Sequence, residues 1–263
     1  MDLSSLKLGI LGFGNMASSI CDGLLLRNVI DPNHIIAYSR NRDRLLSRTE
    51  SRNIRAAESA EKLAKECDVL LVGVLPHQVE TALTPLIPFL EGKSIICIAA
   101  GLDCKTLSAY LPETIGHINV IPNTPVKVAE GIFVCESTHT LNKEQTAVFE
   151  DLFGKIAIIE YVPSHLLSLG GTLSGCTPAF AAIIIEALGD AGVKYGMDRS
   201  TAYRLAAQVL IGTGHILLET GQHPGIIKDT VCSPGGTTIR GVSSLEKNSF
   251  RSALIESIDA IME

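Results

Sequence analysis

The stretch Leu6-Lys7-Leu8-Gly9-Ile10-Leu11-Gly12-Phe13-Gly14-Asn15-Met16-Ala17 is a short apolar run that ends in glycines. Ile20, Gly23, Leu24 and Leu25 follow at spacings that suit a helix, so the order is strand, glycine turn, helix. The pattern GxGxxA asks for a tight turn at Gly12, close approach of a pyrophosphate at Gly14, and a small residue at Ala17 where helix crosses strand. Asn15 and Met16 then lie beside the pyrophosphate. A second strand, Asn33 to Arg40, ends where a ribose would lie. Proteins that take NAD usually place Asp or Glu there to accept from the 2′-hydroxyl. Here the residues are Ser39-Arg40-Asn41-Arg42, whose donors suit a 2′-phosphate, although basic residues that only solvate a loop would read the same. The expected cofactor is NADPH, with NADH weaker, and Ser39 and Arg40 are its expected contacts.

Strands and helices continue to alternate. Helices are expected at 59–65, 78–83 and 107–111, and strands at 68–75, 94–100, 115–121, 131–135 and 155–161. Apolar runs this continuous, separated by helices, imply a mainly parallel sheet covered on both faces, an α/β fold of the doubly wound Rossmann type. Ligands of such sheets bind beyond the strand C-termini. Three segments fall there, Val74-Leu75-Pro76-His77, Ala99-Ala100-Gly101-Leu102 and Pro122-Asn123-Thr124-Pro125. They make Leu75, Pro76, Ala100, Gly101 and Asn123 further candidate cofactor contacts. His77 beside a proline turn reads as a surface or cofactor-packing residue rather than an acid.

At Pro163-Ser164-His165 the strands stop, which divides the chain into a dinucleotide-binding domain, 1–162, and an all-α domain, 163–263. From His165 to Tyr195 the sequence is helical, apolar and rich in small residues. Ser174, Thr177, Pro178 and Glu186 interrupt it, so it is not read as a membrane span. A helix apolar on nearly every side must be buried on nearly every side, and the remaining helices are too few to surround it. A second copy of the chain is the expected cover, giving a homodimer or a larger assembly. Another helix opens at Asp198 and runs to Thr220-Gly221, and a short one precedes Thr230.

The stretch Val231-Cys232-Ser233-Pro234-Gly235-Gly236-Thr237-Thr238-Ile239 follows. An apolar stripe begins directly after its glycines, with Ile239, Val242 and Leu245 and later Leu254, Ile258 and Ile261. Unpaired N–H groups at that helix start, beside two hydroxyls and no bulky side chain, suit a small anion. A tight turn with a helix capped by Thr237 or Thr238 accounts for the same residues.

Composition limits the remaining functions. Among 263 residues, 46% are hydrophobic and 19% charged, with a formal charge of −6, which argues against a nucleic-acid binder. Seven cysteines without a CxxC read as reduced core residues in the cytosol, and metal-ligand spacing is missing. Leu8 to Leu11 is too short for a secretion signal, so a cytoplasmic protein is expected.

The chain resembles the pyrroline-5-carboxylate reductase family along essentially its whole length. The resemblance rests on residues 9–17, Pro122-Asn123-Thr124-Pro125, Leu173-Ser174-Gly175, Pro178-Ala179, Glu186-Ala187, His223-Pro224, Lys228-Asp229 and Ser233-Pro234-Gly235-Gly236-Thr237-Thr238-Ile239. It departs at Leu75, often Lys in the family, at Asn119, usually Arg, at Ser168 to Thr172 and at Cys176-Thr177. The resemblance implies NADPH-dependent reduction of a cyclic imine, with an active site built from two subunits. It also implies that Thr238 hydrogen-bonds the ring nitrogen, and that Ser233 and the N–H groups of Gly236 and Thr237 take the carboxylate. Gly235 and Ser174 complete the expected substrate site. Two other readings stay open, a dehydrogenase of the β-hydroxyacid type and a non-catalytic NADP-binding relative. The first needs a Lys on the helix after Gly175, where Pro178-Ala179-Phe180-Ala181-Ala182 offers none.

Overall fold

The computed structural model describes Leu3 and residues 5–263. The chain divides into two compact units, Met1–Gly175 and Cys176–Glu263. In the first, the strands β1 (Leu8–Leu11), β2 (Ile35–Tyr38), β3 (Arg55–Ala56), β4 (Val69–Val72), β5 (Ser94–Cys97), β6 (Gly116–Pro122), β7 (Gly131–Glu136) and β8 (Ala157–Val162) form one sheet. Among the described residues its order is β3-β2-β1-β4-β5-β6-β7-β8. β6 pairs antiparallel with β7, and the other neighbours run parallel. The helices of this unit are α1 (Asn15–Leu26), α2 (Arg42–Glu50), α3 (Ala60–Glu66), α4 (Val79–Leu83), α5 (Cys104–Ser108), α6 (Lys143–Phe153) and α7 (Leu167–Gly175).

β4 shows why its sequence is apolar throughout. Val69 and Leu71 enter one core with Ile10, Ile20, Phe133 and Phe153, whereas Leu70 and Val72 enter a second with Leu63, Val79 and Leu107. Successive strand residues point to opposite faces, so a sheet covered on both sides needs both sets apolar. Strand order reverses between β2 and β4 on either side of β1, which opens a crevice at the C-terminal end of β1.

The expected strands are all present, most of them shorter than their apolar runs, because the run continues into the turn beyond the last paired residue. The helix expected at 107–111 begins earlier, at Cys104, where Asp103 accepts the Thr106 N–H at 2.7 Å. α2, α6 and β3 were not read from the sequence. α2 buries only Leu45 and Thr49, so it carries almost no apolar period, and its start is set by Asn41 accepting from the Arg44 N–H. α6 opens instead on a reciprocal cap between Asn142 and Gln145.

The segment from Ser164 to Lys194 has the length and mean hydropathy, 1.4, of a helix able to cross a bilayer. It is divided at Cys176 into α7 and α8 (Thr177–Lys194). α7 lies on the sheet: a methyl added at Gly170 would stand 2.7 Å from Val134 Cγ1, and one at Gly171 would stand 2.6 Å from Ile121 Cδ1. Composition changes at Val162/Pro163, whereas compact packing extends to Gly175, and α7 accounts for most of the difference.

The second unit is all helix: α8, α9 (Arg199–Thr220), α10 (Pro224–Thr230), α11 (Thr237–Lys247) and α12 (Phe250–Met262). Asp198 caps α9 through the Thr201 N–H, and Gly221, at φ 65°, ends it. α8 meets α9 where Gly192 faces Ala202 and the Tyr203 ring lies over Gly189. Beyond that seam the apolar side chains lack cover, with Ile183 and Leu218 each 63% exposed and Val209 60%. The apolar stripe from Ile239 to Ile261 is two helices rather than one, because Ser249 adopts a left-handed φ of 59° between them.

Gly23 on α1 sits beneath the Val126 carbonyl of the turn Thr124–Val128, with no room for a methyl group. Gly23→Ala should lower stability by about 1–3 kcal/mol through overpacking. Gly14→Ala, whose added methyl meets nothing within 4 Å, should cost less, no more than the poorer cap of about 1 kcal/mol. Thermal unfolding of both variants against the parent checks the contrast.

Candidate active site

At the crevice, Gly12 turns with φ 92°, and a side chain there would strike the backbone of Gly73 and Val74 at 2.7 Å. The turn is therefore restricted to glycine, and it aims the start of α1, capped by Gly14, out of the sheet. The space around Gly14 is open, as the approach of a pyrophosphate requires. Ala17, 1% exposed, packs where α1 crosses Gly73. Beyond the turn lies a cleft of about 1010 Å³. Its lining includes Gly12, Gly14, Asn15, Ser39, Arg40, Asn41 and Arg44 from the β1 and β2 ends and the starts of α1 and α2, and Leu75, His77, Gln78, Thr81 and Pro85 from the segment after β4.

No carboxylate is among the residues lining this cleft. Ser39 Oγ accepts the Phe13 N–H at 2.7 Å, so the hydroxyl proton remains to donate. An acceptor such as a phosphate oxygen fits that geometry. Arg40, exposed at the end of β2, adds a cation. Arg42 does not join it, since its guanidinium donates to the Ala57 carbonyl at 2.5 Å. Arg44 lines the cleft instead, in the first turn of α2. The apolar pattern does not show it, because α2 has almost no apolar period; the signal for the helix start is the cap at Asn41, which accepts the Arg44 N–H.

The structure brings Gly12, Gly14, Asn15, Ser39, Arg40 and Leu75 to this cleft. Met16 packs against the core below it, and Pro76 opens the short turn Pro76–Gln78 at its edge. Ala100 and Gly101 lie beyond β5 in an exposed loop, where Gly101 has φ 79°. That loop is held from beneath, because fully buried Asn119 donates to the Leu102 carbonyl at 2.6 Å. Buried Glu136 accepts the Cys104 N–H at 2.7 Å and the Ser164 hydroxyl. Asn123, 4% exposed, donates to the Ser174 carbonyl at 3.1 Å and accepts the Ile132 N–H at 2.9 Å. Its side chain thereby ties α7 to β7. Ser174 is itself buried, with its hydroxyl 3.4 Å from the Gly171 carbonyl.

In the second unit, Ser233-Pro234-Gly235-Gly236 forms a turn in which the Gly236 N–H donates to the Ser233 carbonyl at 3.0 Å. Gly235 takes φ 69°, and Ser233 Oγ lies against Gly236 where a side chain would stand. α11 starts at Thr237 with Gly236 as its cap, and no side chain caps it. The expectation that Thr237 or Thr238 caps this helix is therefore corrected: both lie inside its first turn, and both are exposed in the single chain. Their hydroxyls are left for another partner. The donors at this helix start are the N–H groups from Thr237 onward, since Gly236 spends its own on the turn.

Two family models match the chain. One, described as pyrroline-5-carboxylate reductase dimerisation, covers residues 165–263, and one, described as coenzyme F420-dependent NADP oxidoreductase, covers 7–101. The pyrroline-5-carboxylate reductase of Treponema pallidum is 36% identical over 261 residues, 98% of this chain and 99% of its own. That of Escherichia coli is 35% identical over 258 residues, 98% of this chain and 96% of its own. The chain belongs to the pyrroline-5-carboxylate reductase family. Among solved structures, the NADP-bound Plasmodium falciparum enzyme of this family is similar at a TM-score of 0.85 and 30% identity, covering 98% of this chain and 96% of its own. Family membership accounts for the uncovered apolar helices, since the matching C-terminal model is one of dimerisation.

The cleft predicts its own selectivity. NADPH should bind more tightly than NADH, and Arg40→Ala should narrow the difference by about 1–2 kcal/mol, the worth of one charge-assisted hydrogen bond. Paired titrations of the two cofactors against parent and variant measure it; equal affinities in the parent would contradict it.

Proposed function

We propose that the protein reduces 1-pyrroline-5-carboxylate to L-proline with NADPH, the last step of proline biosynthesis. The observation that carries this reading is the open start of α11, where Gly235 is left-handed, no side chain caps the helix, and two threonine hydroxyls stand beside unpaired N–H groups. Such a place holds a small carboxylate. Curated relatives that carry the name pyrroline-5-carboxylate reductase align along almost the whole chain, which supports the same substrate.

The bound nicotinamide would supply hydride to the electrophilic ring carbon. The chain positions the reactants and holds charge, the two contributions a reaction of this kind needs most. Gly12 and Gly14 with the start of α1 seat the pyrophosphate, Ser39 and Arg40 hold the 2′-phosphate, and Leu75, Pro76, Ala100, Gly101 and Asn123 frame the approach to the sheet. Ser233 and the Thr237 N–H take the substrate carboxylate, Gly235 shapes the turn beside them, and Thr238 accepts from the ring N–H. A protonated imine already carries the charge that activates its carbon, so no acid is asked of the protein. An alcohol substrate would require a base, and Pro178-Ala179-Phe180-Ala181-Ala182 at the start of α8 supplies no ionisable group.

The division of labour follows the sequence, with residues 1–162 binding dinucleotide and 163–263 serving dimerisation and substrate. The working assembly is a dimer or a closed ring of dimers with shared active sites, in the cytoplasm and independent of membrane and nucleic acid. Light scattering on dilution should give no folded monomer, because side chains such as Ile183, Val209 and Leu218 would otherwise face water. An active monomer would overturn this.

Turnover tests the site itself. Thr238→Ala should lower kcat/KM for pyrroline-5-carboxylate about 10- to 100-fold, the loss of one hydrogen bond in a dry site, with NADPH affinity and assembly unchanged. Kinetics and melting temperature on one preparation decide the outcome. Unchanged kcat/KM would remove Thr238 from the active site.

A further inference from the structure

Three arginines recur at four-residue intervals along α2 and the turn after it, and each reaches α1 or the glycine turn. Arg52 forms a two-point ion pair with Asp22, at 2.6 and 3.0 Å, and lies over the Phe13 ring at 5.8 Å. Arg48 donates to the Phe13 carbonyl at 3.0 Å, to Ser18 Oγ at 3.3 Å and to Asn15 Oδ1 at 2.7 Å. Arg44 reaches the same Asn15 Oδ1, but at 3.3 Å. Asp22 is the one carboxylate in this set of contacts, so three guanidinium groups face a single balancing charge. Burial, together with Arg44 and Arg52, pulls the pKa of Arg48 below the ordinary arginine value, which marks this as a cationic corner.

The two shares of Asn15 are unequal. Arg48 holds it at a short distance and is anchored twice more, whereas Arg44 is exposed, lines the cleft, and is attached by one long hydrogen bond. Its departure would leave Asn15 satisfied, because Arg48 keeps the acceptor occupied. A guanidinium has five donors in a planar fork that matches phosphate oxygens. Arg40, Ser39 and Asn41 line the same cleft.

We infer that Arg44 is a specificity-determining residue that leaves Asn15 to grip the 2′-phosphate of the cofactor, and that Arg48 is the positioning residue that holds Asn15 and the glycine turn while it does so. The inference rests on the reading of NADPH as cofactor and adds to it a second, movable cation beside Arg40. Arg48, turned onto protein oxygens, serves both cofactors alike. Arg44 serves only the phosphorylated one.

The test is calorimetric titration of the full-length protein with NADPH, NADH, adenosine 2′-monophosphate and adenosine 5′-monophosphate. Arg44→Gln should weaken NADPH and adenosine 2′-monophosphate about tenfold or more and leave NADH within about twofold, and Arg44→Lys should restore part of the loss, as expected for a charge-assisted contact. Arg48→Gln should weaken NADPH and NADH by similar factors, with Arg48→Lys recovering less, since one ammonium cannot span three acceptors. Arg44 is exposed, and an unchanged melting temperature would confirm that its variants fold. If the parent binds NADPH and NADH equally, the cofactor reading fails and this inference with it. If the parent discriminates and Arg44→Gln discriminates as strongly, the cofactor reading stands and the role of Arg44 is overturned.

Discussion

The close approach of Gly12 to the backbone of Gly73 and Val74 is the constraint on which the rest of the nucleotide-binding unit depends. Two neighbouring strand ends, β1 and β4, come together there with no side chain between them, and Ala17 on α1 closes over the same point. A larger residue at any of these positions would push α1 off the sheet and carry away the N–H groups that face the pyrophosphate. The crevice therefore follows from two positions without a side chain, Gly12 and Gly73, and a third, Ala17, with the smallest one.

Close approach recurs wherever a helix must lie near a sheet or a second helix. Gly23 admits the Val126 carbonyl, Gly170 and Gly171 bring α7 onto β6 and β7, and Gly189 and Gly192 seat α9 against α8. Buried polar groups hold further segments in place. Asn123 joins α7 to β7, Asn119 holds Leu102, and Glu136 takes the Cys104 N–H and the Ser164 hydroxyl. In low dielectric the bonds of Asn123 and Glu136 fix one arrangement, because any other leaves their polar atoms unpaired, whereas Asn119 is paired through its donor alone and keeps a buried Oδ1 without a partner. Each of them supports a segment at or next to the C-terminal end of a strand, where a ligand of such a sheet binds.

The electrostatics of the cleft are as one-sided as its shape. Arg40 and Arg44 line it without an accompanying carboxylate, and Arg48 spends its donors on neutral oxygens beneath. The start of α11 in the second unit, capped by Gly236 with no side chain, is built on the same principle from backbone rather than side chains. In each unit, donors thus stand where an anion would find them, guanidinium groups in the cleft of the first and N–H groups at the start of α11 in the second.

The sequence alone determined the strand–turn–helix order, the requirement for glycine at Gly12, the alternation that yields a parallel sheet, and the Ser233–Thr238 stretch, because each is written in local periodicity or in residues with special backbone freedom. It also determined that the segment from His165 to Tyr195 needs cover, since it is apolar on nearly every side. Tertiary structure decided what short-range pattern does not encode. α2 has too little apolar period to be read, so only the fold showed Arg44 lining the cleft while Arg42 turns to Ala57. The cap of α11 fell to Gly236 because the turn at Ser233 already consumes that residue's N–H and leaves both threonines within the helix. α7 joined the sheet unit because Val134 and Ile121, distant in sequence, occupy the space that side chains at Gly170 and Gly171 would need.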